Sequence, residues 1–103
     1  MNLRHTMNRQ TVMQLLHDAL PGIRERFGVQ ELAIFGSVAR DDASSNSDVD
    51  VLVTFDGRAH FRAFMGLQFE LEELLGARVD LVTPKAIKAA LRSNIERDLI
   101  HVP

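Results

Sequence analysis

The apolar positions of this chain change period along its length, and the changes mark out its elements. From Asn8, Val12, Leu15, Leu16, Ala19, Leu20, Ile23 and Phe27 recur at three- and four-residue intervals, which lines one stripe of an amphipathic helix. Pro21 lacks a backbone donor and disfavours helical geometry at Leu20, so a kink or two short helices is expected there, with Gly28 as a left-handed cap. Leu32 to Phe35 is a short apolar run ending at Gly36-Ser37, the signature of a buried strand. Asp41 to Ser47 is dense in Asp, Ser and Asn and reads as an exposed loop. Asp48 to Phe55 is rich in β-branched residues and forms a second strand, ended by the turn signal Asp56-Gly57.

Helical spacing returns at Phe61, Phe64, Leu67, Gln68, Leu71, Leu74 and Leu75, with Gly76 as the cap. Arg78 to Val82 is a third strand in which Val79 and Leu81 share one face and Asp80 takes the other. Thr83-Pro84 offers an N-cap with proline at the first helical position, so a helix is expected from there to about Leu91. The tail supports two outcomes: one more helical turn through Ile95, Leu99 and Ile100, or an edge strand over Leu99 to Val102. With 103 residues and 46% apolar side chains, one domain over residues 1–103 with a single modest core is expected.

Charge and composition remove several functions. Twelve basic residues against fourteen acidic ones leave no broad footprint for a polyanion, so direct nucleic-acid binding is not expected. The absence of cysteine excludes disulfides and thiolate metal sites and fits a reducing compartment. No stretch has the length of a membrane span and the opening Met-Asn-Leu-Arg-His lacks the apolar core of a signal peptide, so a soluble, cytoplasmic protein is expected. His5, His17, His60 and His101 show no metal-ligand spacing and read as surface or ordinary helix residues.

The chemistry is concentrated in acids placed where strands disfavour them. Asp48 and Asp50 occupy alternate positions at the head of a strand otherwise built of Val and Leu, so their carboxylates project side by side and repel. A bound cation would relieve that repulsion, and magnesium is commonly held by one or two carboxylates together with substrate phosphates. Asp80 is again a single acid in an apolar strand and reaches the same cavity if the third strand lies beside the second. Gly36 lets backbone approach a phosphate while the Ser37 hydroxyl and following amides donate to it, and Arg40 adds a cation if the segment coils.

Taken in order, Phe35-Gly36-Ser37-Val38-Ala39-Arg40, a polar loop, Ser47-Asp48-Val49-Asp50-Val51-Leu52-Val53 and Val79-Asp80-Leu81-Val82 resemble the minimal nucleotidyltransferases of the DNA polymerase β-like superfamily. These include the antitoxins encoded beside HEPN-domain toxins. The resemblance implies an α+β nucleotidyltransferase fold, a small mixed sheet flanked by helices. It implies metal binding by Asp48 and Asp50 with Asp80 as the third acid, and nucleotide binding by Gly36, Ser37 and Arg40. It further implies two magnesium ions about 4 Å apart, ATP as co-substrate, and transfer of AMP to a hydroxyl, a tyrosine of a partner HEPN ribonuclease toxin. Asp80 is then the candidate for helping to deprotonate the acceptor. The alternative is an antitoxin that blocks its partner by complex formation alone. Many members carry glycine directly after the arginine; this chain has Asp41, which either points away from the triphosphate or weakens nucleotide affinity.

Overall fold

The computed structural model describes residues 8–43, 47–57, 61–87 and 89–103. Asn8 caps α1 (Arg9–Phe27), its side-chain oxygen accepting the Thr11 amide at 2.7 Å. The predicted stripe is the buried one: Val12, Leu16, Leu20 and Ile23 face inward. Gly28, at φ 68°, closes the helix by donating to the Arg24 carbonyl at 3.0 Å. Pro21 does not divide the helix, contrary to the expected break. It lies on the exposed side, where only one helical hydrogen bond is lost and the packed stripe holds both halves in one element.

The chain then forms β1 (Val29–Phe35), α2 (Gly36–Arg40), β2 (Val49–Phe55), α3 (Phe61–Leu75) and β3 (Val79–Val82). A 3₁₀ turn over Pro84–Ala86 leads to α4 (Ala89–Asp98) and β4 (Ile100–His101). The helix expected from Thr83 to about Leu91 is therefore corrected. Ile87 is extended (φ −79°, ψ 120°), so the proline-started turn stops there and α4 begins separately. Of the two outcomes held open for the tail, the edge strand occurs, as Ile100–His101 on β1; Ile95 lies in α4, which ends at Asp98, so the helical turn does not take in Leu99 and Ile100. The strand over Leu32 to Phe35 extends back to Val29. Of the loop expected over Asp41 to Ser47, residues 44–46 lie outside the described residues, as do His5 and His60.

The sheet order is β3-β2-β1-β4. β1 is antiparallel to both neighbours and β2 is parallel to β3, so the sheet is mixed, as expected. Leu32, Ile34, Val49, Val51, Val53, Val79 and Leu81 face α1 and α3 and join Leu16, Leu67 and Leu71 in one core. Each such leucine or valine side chain contributes roughly 1.5–3 kcal/mol by leaving water. α4 packs against α2 and β1. The outer edge of β3 is covered by side chains of α3: the Gln68 amide donates to the Val79 carbonyl at 3.1 Å, and the Glu72 carboxylate accepts the Val79 amide at 3.1 Å. These bonds satisfy edge groups that would otherwise pair with another strand.

Candidate active site: three acids around a glycine turn

Alternation along β2 buries Val49, Val51 and Val53 and leaves Asp50, Leu52 and Thr54 on the other face. The parallel pairing sets Asp50 directly beside Asp80, which therefore projects from the same face. Asp48 precedes β2 by one residue and keeps the alternation with Asp50. The three acids expected to converge thus share one side of the sheet, opposite the side packed by α1 and α3.

The antiparallel pairing sets Phe35 beside Asp50, so the chain turns into α2 immediately against that carboxylate. Gly36 has φ 75°. A Cβ built there would fall inside van der Waals contact of the Asp50 carboxylate, 3.1 Å from its Cγ. Glycine is needed for two independent reasons, the left-handed backbone and the missing side chain. Ser37 and Arg40 follow within one helical turn, as the sequence reading required for them to face the same centre.

The electrostatics show how crowded the acids are. Burial first, then the charges of Asp80 and Asp48, raise the Asp50 carboxyl from its ordinary 3.8 to about 6; Arg40 pulls in the opposite direction, and a hydrogen bond with Asp80 adds to the rise. Among the described residues no three His, Cys, Asp or Glu side chains are gathered tightly enough to cage a cation as they stand. Asp48 is half-exposed and lies beside Arg78, Oδ1 to Nε 4.0 Å.

Arg40 is less free than the sequence suggested. Its Nη1 donates to Asp98 at 2.7 Å and its Nε to Asp42 at 3.3 Å, and these bonds, Asp98 first, hold its proton more firmly than usual. Its field still reaches Asp50. Asp42 and Asp98 were not singled out from the sequence: Asp42 lies two residues beyond Arg40, and Asp98 reaches it only because α4 docks against α2. Of its two alternatives, Asp41 takes the first. At φ 65° it ends α2, and its Oδ1 accepts the Arg9 amide at 3.0 Å at the start of α1, which directs the acid away from the glycine turn. Arg9 completes this staple by donating from Nη1 to the Ala39 carbonyl at 3.1 Å.

A nucleotidyltransferase domain model matches residues 17–102, nearly the whole of this architecture. The chain belongs to the nucleotidyltransferase domain family. It is 42% identical over 80 residues to the protein adenylyltransferase MntA of Thermococcus cleftensis, an alignment spanning 78% of this chain and 81% of that protein. A solved structure described as a minimal nucleotidyltransferase superposes with a TM-score of 0.75 at 33% identity, over 90% of this chain and 94% of the other. The fold is also shared with a Shewanella oneidensis complex of an MNT antitoxin with a tri-AMPylated HEPN toxin, at a TM-score of 0.62 and 19% identity, covering 88% of this chain and 71% of that one. No described helix is long and apolar enough to cross a membrane.

Proposed function

We propose that this chain is a protein adenylyltransferase antitoxin that moves AMP from magnesium-ATP to a tyrosine hydroxyl of a partner HEPN ribonuclease toxin and so silences it. The observation that carries the reading is the pairing of Asp50 with Asp80 on the face that Gly36 adjoins. That arrangement gathers two acids and a side-chain-free turn of backbone at one point, and the 42% identical relative is named for this chemistry.

The donor set fits magnesium. Hard oxygen ligands alone are present, and they are crowded enough to raise one carboxyl to about 6, the situation a divalent cation relieves. Asp48, Asp50 and Asp80 would hold the two ions, which supply charge neutralisation at the triphosphate and at the acceptor oxygen. The Gly36 backbone and the Ser37 hydroxyl face the phosphates. Arg40 reaches a phosphate oxygen by exchanging Asp42 or Asp98 for it, a swap of one anionic acceptor for another.

In the transfer, the acceptor oxygen forms a bond to the α-phosphorus as the bond from that phosphorus to the pyrophosphate oxygen breaks. The acceptor's proton passes to the exposed Asp80 carboxylate, and pyrophosphate leaves. The chain contributes mainly positioning, because little beyond in-line alignment and charge stabilisation is required. The cysteine-free composition suits the reducing cytoplasm in which such a pair would work.

The test mixes the chain with the product of the neighbouring open reading frame, magnesium and ATP, and weighs that product. A mass gain of one or more AMP units, lost with the Asp48→Asn/Asp50→Asn double variant, is expected. If the double variant still neutralises the toxin in cells, neutralisation runs through complex formation and the enzymatic reading fails. Asp80→Asn with full activity and undiminished magnesium dependence would remove Asp80 from its proton-accepting role.

A further inference from the structure

α3 carries its charges against its own dipole. A helix favours acids in its first turn and bases in its last, yet α3 has no acid in the first and no base in the last. Arg62 stands at the start, and Glu70, Glu72 and Glu73 crowd the end. Two of those acids have work inside the molecule: Glu70 pairs with Arg26, and Glu72 holds the β3 edge. Arg62 and Glu73 are both exposed, and neither has an ion-pair partner among the described residues.

The same outward face carries apolar surface. Leu67, Leu71 and Leu75 turn to the core, and half a turn away Arg62, Met65, Phe69 and Glu73 form the opposite stripe at spacings of three, four and four. Phe69 is 68% exposed and Phe61, at the helix start, 79%. A shallow groove beside Phe69 is lined by Gly66, Glu70, Glu72 and Glu73. Two exposed phenylalanines in one helix are not explained by the core, which α3 already completes with its other face.

We propose that α3 is the interface for a second copy of this chain, paired antiparallel across a two-fold axis. Three features select a copy of the chain itself over another partner. The stripe is self-complementary: Arg62 and Glu73 share one midpoint with Gly66 and Phe69, between Leu67 and Gln68. An antiparallel pair centred there sets Arg62 of each copy against Glu73 of the other, and Phe69 of each over the Gly66 groove of the other. The opposed helix dipoles attract, and the charges that are misplaced within one helix become correctly placed for its neighbour. Since α3 lies on the sheet face opposite Asp48, Asp50 and Asp80, both acid centres turn outward and stay open.

A 15-residue helix is about 22 Å long, so the contact falls at the small end of specific interfaces and the dimer is expected to be weak and concentration-dependent. Sedimentation velocity on the full chain, from about 5 to about 500 µM, is expected to show a monomer passing to a dimer within that range. Arg62→Glu and Glu73→Arg, each alone, set like charges together twice per dimer and should weaken it at least about tenfold. The double variant R62E/E73R restores both pairs and should return to within about threefold of the parent. Phe69→Lys should abolish the dimer with the thermal melt unchanged, because Phe69 is exposed in the single chain. A parent that stays monomeric at the highest concentration overturns the proposal, as does a double variant no better than either single one. A monomeric parent whose Phe69→Lys variant no longer binds the neighbouring gene's product would assign the stripe to that protein instead.

Discussion

Replacing Asp50 by asparagine should make the isolated chain more stable while removing its activity. The acid sits between Asp80 and Asp48 against the Gly36 turn, and its carboxyl is raised from 3.8 to about 6. Below pH 3.8 both folded and unfolded chains hold the proton and Asp50 contributes nothing. Between 3.8 and about 6 the folded chain keeps a proton that the unfolded chain has released, so stability falls as pH rises through that window. Above about 6 the full cost is present. A shift of roughly two units corresponds to about 3 kcal/mol at most, and because Asp50 is only half-buried, solvent screening reduces this to about 1–1.5 kcal/mol.

Asparagine has nearly the same shape, carries no charge, and can donate to Asp80 as the protonated acid does. Urea denaturation with chelator present should show the Asp50→Asn midpoint raised by about half a molar or more at pH 8, and no gain near pH 3.5. The complementary arm adds magnesium with a non-hydrolysable ATP analogue, which should raise the melting temperature of the parent and leave the variant unmoved. A variant no more stable than the parent at pH 8, or a gain of the same size at both pH values, would refute this account of the site's electrostatics.

Gly36→Ala forces a side chain into the Asp50 carboxylate and an ordinary residue into φ 75°, so a loss of about 2 kcal/mol in urea unfolding is expected, together with loss of nucleotide-dependent thermal stabilisation. Asp41→Ala keeps the left-handed backbone without the bond to the Arg9 amide and should cost about 1–2 kcal/mol. Asp41→Gly removes the strain along with the bond and should come out within about 0.5 kcal/mol of the parent; equal losses for the two variants would show that backbone conformation is not what Asp41 contends with. Pro21→Ala restores a helical donor at an exposed position and should raise stability by about 1–2 kcal/mol by the same assay, without effect on AMP transfer.

Periodicity alone determined where apolar faces lie, because burial repeats every 3.6 residues in a helix and every second residue in a strand, and both periods are written in the chain. The stripe from Val12 to Ile23, the α3 leucines and the alternation through Val49, Val51 and Val53 all emerged as read. So did the glycine caps Gly28 and Gly76, because glycine takes a positive φ at no steric cost. The anomaly of acids in a Val-rich strand was likewise legible at Asp48, Asp50 and Asp80, since an unfavourable residue in a regular pattern is visible without coordinates.

Only the tertiary structure decided which strands are neighbours, and with that the parallel pairing that sets Asp50 beside Asp80. Non-local relationships have no sequence period, so the Arg40 bond to Asp98, the Asp41 bond to Arg9 and the edge cover from Gln68 and Glu72 could not be read beforehand. Local rules also lost to packing at two places. Pro21 stays inside a helix because the buried stripe on both sides of it outweighs one missing hydrogen bond. The proline start at Pro84 yields a single turn because the chain must become extended at Ile87 before α4 lies against α2 and β1. Sequence patterns fix what each segment buries; which distant groups meet is set by how those buried faces are satisfied together.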